Sequence, residues 1–409
     1  MLAASDQPQL WAIKDLSNGQ PMLGCSSCTE RRLCGGLHVT AGGAQAIDCM
    51  GMCRCQDPAK CDVVCPAAPS RYWRRIIEVH GLDLEAIPVA RVLPLPTLPE
   101  VALLLEGNIG DGKPSRAHAF AAVPLSMTVA GGGRQTRAKT RKELEQTFGV
   151  APRDGWIASG VEKDSHVERM WRLPTPRRTW EGLKRAGVIF ATTPNFSTYA
   201  DVPRHDNLHA MMRIAWTWYE MVESGLPTAL HINGRTDHDF VRWGQFAKRQ
   251  PGMRAVAFEF LTGAEPKEDG RRYVDRLKLF AQESARKDLR LVLRSGASWV
   301  PELREHFKEV MLIDSGPYFK TIKRQRQEAG PNGTPVFRSH KTVGRAEMHA
   351  LFLHNAKAKL AMHAGLLRPG TPTQGALSFE PARPTRSESA PAVAEGAEHP
   401  QLDLFEATT

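Results

Sequence analysis

The sequence predicts an α/β protein whose central domain is a (β/α)8, TIM-barrel-like fold, and two observations carry that expectation. Eight short apolar runs of strand length follow one another between Val101 and Asp314, and segments of helical periodicity separate most of them. Alternation of that kind describes strands that run parallel, and eight of them favour a closed barrel over an open sheet. Composition allows it: 42% hydrophobic and 24% charged residues are near the globular norm, which excludes a collagen-like, coiled-coil or wholly disordered chain.

The strand candidates, in order, are Val101 to Leu105, Ala119 to Val123, Gly155 to Ser159, Gly187 to Thr193, Thr228 to Asn233, Arg254 to Phe260, Leu289 to Arg294 and Val310 to Asp314. Helix-period segments are Arg137 to Thr147, Asp206 to Ser224, Asp237 to Arg249, Gly270 to Arg286 and Trp299 to Glu309. Ahead of them, Arg71 to His80 reads as a short amphipathic helix and Pro88 to Pro99 as a Pro-rich connector. The expected organisation is an N-terminal arm (1–24), a Cys-rich metal-binding module (25–87), the barrel (88–330), a basic helical extension (331–367) and a disordered tether (368–409).

All eight cysteines, Cys25, Cys28, Cys34, Cys49, Cys53, Cys55, Cys61 and Cys65, lie within 41 residues. The first 24 residues lack the apolar core of an export signal, so the expected location is the cytoplasm, close to the nucleoid. Thiols stay reduced there and serve metals rather than disulfides. Cys25-x2-Cys28 is the turn that zinc ribbons use. The closing Cys61-x3-Cys65-Pro66 resembles the end of a bacterial ferredoxin run, and the irregular spacings suit a cluster wrapped by loops. The reading is an iron–sulfur cluster, with zinc as the alternative. The spacing of radical-generating SAM enzymes is absent, which points to a structural or redox-sensing site.

Net charge is +10 with a pI near 9.3, so polyanions, nucleic acid first, are the expected partners. A membrane is not: the most apolar window, Ala86 to Leu105, is interrupted by Arg91, Glu100 and four prolines. Basic residues concentrate after the last strand, at Lys320, Lys323, Arg324, Arg326, Arg338, Lys341, Arg345, Lys357 and Lys359.

In a parallel barrel the reacting groups stand just after the strands, where the loops share one mouth. That rule selects Glu106, Asn195, Ser197, Asp201, His231, Asn233, Glu259, Arg294, Ser295, Asp314 and Tyr318. From them, Asp201, Glu259 and Asp314 are the candidate acid–base or metal-binding carboxylates and His231 the candidate proton carrier, since partial burial at a strand end tunes such groups.

Thr193 to Pro203, T-P-N-F-S-T-Y-A-D-V-P, resembles the hallmark T-P-(N/D)-F-S-x-Y-x-D-x-P of an uncharacterised family of bacterial chromosomes and mobile elements. The similarity runs on through Arg213, His231-Ile232-Asn233, Phe258-Glu259-Phe260 and Asp314. It implies a barrel-like fold; in physical terms, the aromatic Phe196 and Tyr199 are expected to anchor the loop, with Asn195, Ser197 and Asp201 facing the mouth. Gln401-Leu402-Asp403-Leu404-Phe405 resembles the pentapeptide by which bacterial proteins dock on the sliding clamp, and it follows a Pro-, Ala- and Ser-rich stretch suited to a tether. Asp314-Ser315-Gly316-Pro317-Tyr318-Phe319 resembles the D-S-G-G-F loop of tRNA-guanine transglycosylases, which would imply base exchange with Asp314 beside a purine-sized slot.

Together these features predict a DNA-metabolism protein tethered to the clamp, a DNA-modifying or DNA-processing enzyme. The alternatives are a non-catalytic DNA-binding adaptor of a phage or plasmid and a transglycosylase-like enzyme acting on tRNA or DNA.

Overall fold

The computed structural model describes residues 78–111, 114–116, 119–129, 136–173, 176–199, 204–260, 267–330 and 334–367, with two short backbone pairs, His38–Val39 and Gln45–Ala46, in antiparallel register. All eight cysteines, most of the expected Arg71–His80 helix, Asp201 and the Gln401–Phe405 peptide lie outside the described residues.

Eight parallel strands close on themselves: β1 (Val101–Leu104), β2 (Phe120–Pro124), β3 (Gly155–Ser159), β4 (Val188–Thr192), β5 (Thr228–His231), β6 (Ala255–Glu259), β7 (Arg290–Arg294) and β8 (Glu309–Asp314). Closure is by β8 on β1, where Leu312, Ile313 and Asp314 pair with Val101, Ala102 and Leu103. Each strand candidate became a strand because a short apolar run can be buried on both faces only inside a parallel sheet covered by helices.

The helices are α1 (Arg141–Phe148), α2 (Asp164–Trp171), α3 (Pro176–Arg185), α4 (Arg204–Glu223), α5 (Asp237–Arg249), α6 (Lys267–Ser284), α7 (Val300–Leu303), α8 (Gly316–Ile322) and α9 (Gly344–Leu367). A capping box between Thr236 and Asp239 starts α5 where its sequence signal stood. The segment expected as a helix from Trp299 to Glu309 supplies a single α turn, α7, before the chain enters β8. Between α8 and α9 a hairpin of β9 (Gln325–Ala329) and β10 (Pro335–Ser339) was not anticipated, and it straddles the expected 330/331 boundary.

Inside the barrel, Ala102, Leu104, Ala122, Ile157, Phe190, Ala229, Ala255, Ala257, Val292, Met311 and Ile313 form one apolar cluster. Leu95 and Leu98 of the Pro-rich connector pack against it, closing the end where the strands begin. Arg290 donates to the Pro96 carbonyl at 3.0 Å, and Gln250 grips the connector through the Ala90 amide and the Pro88 carbonyl. The connector is thus a plug for the barrel floor. Just upstream, Val79, Leu84 and Ile87 are buried with the helices flanking β5 to β8.

Among the described residues no helix lies between β1 and β2. The outer faces of these strands, Leu103, Ala121 and Val123, instead share a cluster with Phe352 and Ala356 of α9. The long closing helix therefore fills the missing position. It is held by buried Asn355, whose Nδ2 donates to Thr321 Oγ1 (3.1 Å) and the Gln325 carbonyl (2.9 Å) while its Oδ1 accepts from the Gln327 amide (2.8 Å). Among the described residues no helix is long and apolar enough to cross a membrane.

Candidate functional site

The loop after β4 is the organising element. Thr193 continues onto the end of β5: its hydroxyl accepts from the His231 amide (2.9 Å) and its carbonyl from His231 Nδ1 (2.8 Å). The Asn195 amide donates to the Gly160 carbonyl after β3 (2.9 Å). Phe196 is fully buried, edge-on to Trp171, with the Arg213 guanidinium 4.2 Å above its ring and Glu168 closing the ion pair at 2.7 Å. Thr198 donates to Asn233 Oδ1 (3.0 Å), and Asn207 brackets Tyr199 by bonding both its amide and its carbonyl. Every polar side chain from Thr193 to Thr198 is therefore fixed by the scaffold or by another wall of the site. Phe196 is the anchor expected of it. Tyr199 is not: it is 45% exposed and stands at the rim, its hydroxyl donating to Asp164 Oδ2 (2.8 Å).

Behind this loop lies a cavity of about 440 Å3 over the carboxyl ends of β3 to β6. Its walls are Glu162, Lys163 and Asp164 after β3, Asn195, Ser197, Thr198 and Tyr199 after β4, His231, Ile232, Asn233 and Arg235 from β5, Phe258 and Glu259 of β6, and Tyr273 of α6. The size suits a drug-sized or nucleoside-sized group.

Two of the four expected catalytic residues meet here. His231 and Glu259 end neighbouring strands and follow the inward-facing Ala229 and Ala257 by two residues, so both belong to the set that points into the barrel. Asn195 Nδ2 donates to Glu259 Oε2 at 3.0 Å. Burial lowers the His231 imidazole to about 4, partly offset by its bond to the Thr193 carbonyl. A carbonyl only accepts, so the proton sits on Nδ1 and Nε2 keeps its lone pair. The ring of His231, the candidate proton carrier, is consequently a neutral hydrogen-bond acceptor.

Asp314 does not join them. It follows the inward-facing Ile313 and so has the opposite parity, turning out toward α9. Its Oδ2 accepts from His363 Nε2 (2.9 Å) and pairs with Lys359 (3.2 Å), and its Oδ1 accepts from the Gly316 amide (2.7 Å). Burial alone would raise this carboxyl, but the His363 bond, the Lys359 charge and the Gly316 amide outweigh it and hold the group well below the usual carboxylate range. Asp314 is the latch of α9, and the slot that base exchange requires beside it is not formed by the cavity, which lies among other strands. Between the two regions sits buried Arg294, donating to Ser315 Oγ (3.1 Å) and 3.6 Å from Glu106. Burial lowers its pKa against the opposing charges of Glu106, Asp314 and Glu259.

Sequence reasoning missed Glu162, Asp164, Arg235 and Tyr273. Glu162 accepts from the Ser126 amide (2.6 Å) and, in a very short bond, from the Ser126 hydroxyl, with His166 Nδ1 at 3.4 Å. Burial raises its carboxyl despite those bonds. Asp164 accepts from Ser197 and Tyr199, and Arg235 donates to the Thr198 carbonyl and the Tyr273 hydroxyl, both at 2.7 Å. For Glu162, Asp164 and Arg235 the available signal was their position within five residues of a strand end, whereas Tyr273 sits on α6, fourteen residues beyond β6, and carried no such signal.

Chemically, the cavity offers a neutral imidazole acceptor, an amide-oriented carboxylate and a second carboxyl whose affinity for protons is raised, an arrangement suited to moving a proton on a bound polar group. Among the described residues no cluster of three or more His, Cys, Asp or Glu is arranged to hold a metal ion. No protein-family model matches this chain, and no curated protein matches it either.

Proposed function

We propose that this protein is an enzyme of DNA metabolism that modifies or processes a nucleotide-sized group in the barrel-mouth cavity and is carried to its substrate by the sliding clamp. The observation that carries the reading is the convergence of Glu162, His231 and Glu259 on one cavity at the carboxyl ends of the strands. Glu162, whose proton is held more tightly than usual, serves as the acid–base group. His231 accepts a hydrogen bond from the substrate, and Glu259, aligned by Asn195, takes or stabilises developing positive charge. The net charge of +10 favours a polyanionic substrate.

Gln401 to Phe405 would seat in the clamp's apolar pocket, and tethering would convert a weak, salt-sensitive DNA contact into sustained occupancy. The eight cysteines, Cys25 to Cys65, would hold an iron–sulfur cluster, or zinc in its place, in a structural or redox-sensing role.

The test incubates anaerobically purified full-length protein with single- and double-stranded oligonucleotides, with and without clamp, then digests them and weighs the nucleosides and fragments. A new product from wild type, reduced about 100-fold or more in Glu259→Gln, is expected. Unchanged DNA with clamp-dependent binding that Phe405→Ala abolishes would instead establish the adaptor reading. Metal analysis and the absorbance spectrum of the same preparation decide between iron–sulfur and zinc.

A further inference from the structure

We infer that the outer flank formed by α8 and the β9–β10 hairpin is the surface that grips the nucleic-acid backbone, apart from the cavity that receives the reacting group. This deepens the nucleic-acid reading above and rests on it.

Residues 315–367 carry nine Lys and Arg against two carboxylates, Glu328 and Glu347. Four of them stand on or beside the α8 end and the β9–β10 hairpin, while Lys359 is engaged with Asp314 and Arg326 with His354. Lys323, Arg324, Arg338 and Lys341 are all exposed. The His340 amide donates to the Arg324 carbonyl (2.8 Å), which brings the end of β10 against the start of β9, so that Lys323 and Arg324 on one segment and Arg338 and Lys341 on the other belong to neighbouring stretches of backbone. In the hairpin register Arg326 stands directly opposite Arg338. Like charges facing each other across a strand pair repel, and Glu328, 3.0 Å from Arg338, is the acid beside them.

A second sign of strain is Arg324 itself, whose φ of 53° lies in the left-handed region that favours glycine. A long basic side chain thus stands in a backbone geometry that glycine would adopt at no steric cost. Apolar groups are interleaved with the charges: Phe319 is 36% exposed, Ile322 45% and Val343 71%. Phosphates matched by Lys and Arg, with an exposed aromatic face for an unpaired base, are the chemistry by which proteins hold single-stranded nucleic acid. Five hairpin residues span about 17 Å, the axial rise of about five nucleotides.

The experiment measures fluorescence anisotropy of a labelled oligonucleotide of about 20 nucleotides, single-stranded and duplex, against salt concentration. Three full-length proteins are compared: wild type, the flank variant Lys323→Gln/Arg324→Gln/Arg338→Gln/Lys341→Gln, and a control that removes equal charge elsewhere, Lys142→Gln/Arg177→Gln/Arg178→Gln/Lys287→Gln. Matching thermal melts establish that both variants fold. The flank variant is expected to bind at least about tenfold more weakly with a shallower salt slope, while the control binds nearly as wild type. Phe319→Ala should weaken single-strand binding more than duplex binding. Equal losses in flank and control variants, or none in either, would overturn this surface while leaving nucleic-acid binding intact. Wild type that fails to bind at low salt would instead defeat the nucleic-acid reading itself.

Discussion

Asn195 reaches from the β4–α4 loop to Glu259 at the end of β6, its amide nitrogen 3.0 Å from the carboxylate, so that one hydrogen bond ties the motif-bearing loop to the candidate catalytic strand. Replacing this donor by an acceptor reverses the interaction. In Asn195→Asp two carboxylates would face each other at hydrogen-bond distance, and one would hold its proton to higher pH in the folded protein than in the unfolded chain. The variant should be destabilised by about 2 kcal/mol at neutral pH and recover as the pH falls. Melting temperature against pH checks this; a gap from wild type that stays constant into acid refutes it.

His231 predicts the opposite slope in the native protein. Its folded value of about 4 lies below the ordinary 6.5, so the unfolded chain binds the extra proton between those limits. Stability should therefore drop as the pH falls from about 6.5 to about 4, by up to about 3 kcal/mol from this residue. His231→Gln, which keeps a hydrogen-bonding side chain, should flatten that part of the profile in urea titrations.

Gly160 lies where β3 hands over to the site. A Cβ there would collide with the Thr193 carbonyl, the same oxygen that fixes the His231 tautomer. Gly160→Ala should cost about 1–3 kcal/mol and push the loop off its seat. The signature is faster hydrogen exchange at the Asn195 amide, which donates to the Gly160 carbonyl at 2.9 Å.

Asn355→Ala would leave the buried Gln327 amide without its partner and release the Gln325 carbonyl. A loss of about 2–3 kcal/mol is expected, with the hairpin detaching from α9 before the barrel melts. Exchange rates of the β9 amides, compared with those of β5, separate that sequence of events from uniform weakening.

Asp314→Asn tests the latch. The wild-type carboxyl is depressed in the fold, so its contribution is present above the unfolded carboxylate range and lost as the pH falls through the folded value. Removing the charge should cost about 2 kcal/mol at neutral pH and expose α9 to proteolysis, while the cavity across the barrel mouth keeps its geometry. Equal protection of α9 in both proteins would show that its apolar packing on β1 and β2 suffices.

Much of this architecture is legible in the amino acids. All eight strands stand where short apolar runs predicted them, since burial on both faces demands such runs and turn residues bound them. The helices between β3 and β4 were hidden because that stretch is dense in charge and proline. The hairpin was hidden by its basic composition, which reads equally well as a solvated helix.

The candidate site divides along the same line. His231 and Glu259 are recognisable as polar residues closing apolar strands, and so is Asp314. Which of them enters the cavity is not recognisable, because a strand that is apolar on both faces carries no alternation from which to read its inward side. The local chain determined that there would be eight strands and which polar groups would end them. Barrel closure decided their parity, turning His231 and Glu259 inward and Asp314 outward to α9, and it alone brought Glu162 of one loop within the same 440 Å3 as Glu259 of another. Those neighbours are 97 positions apart in the chain, and only side-chain packing around a closed ring makes them adjacent.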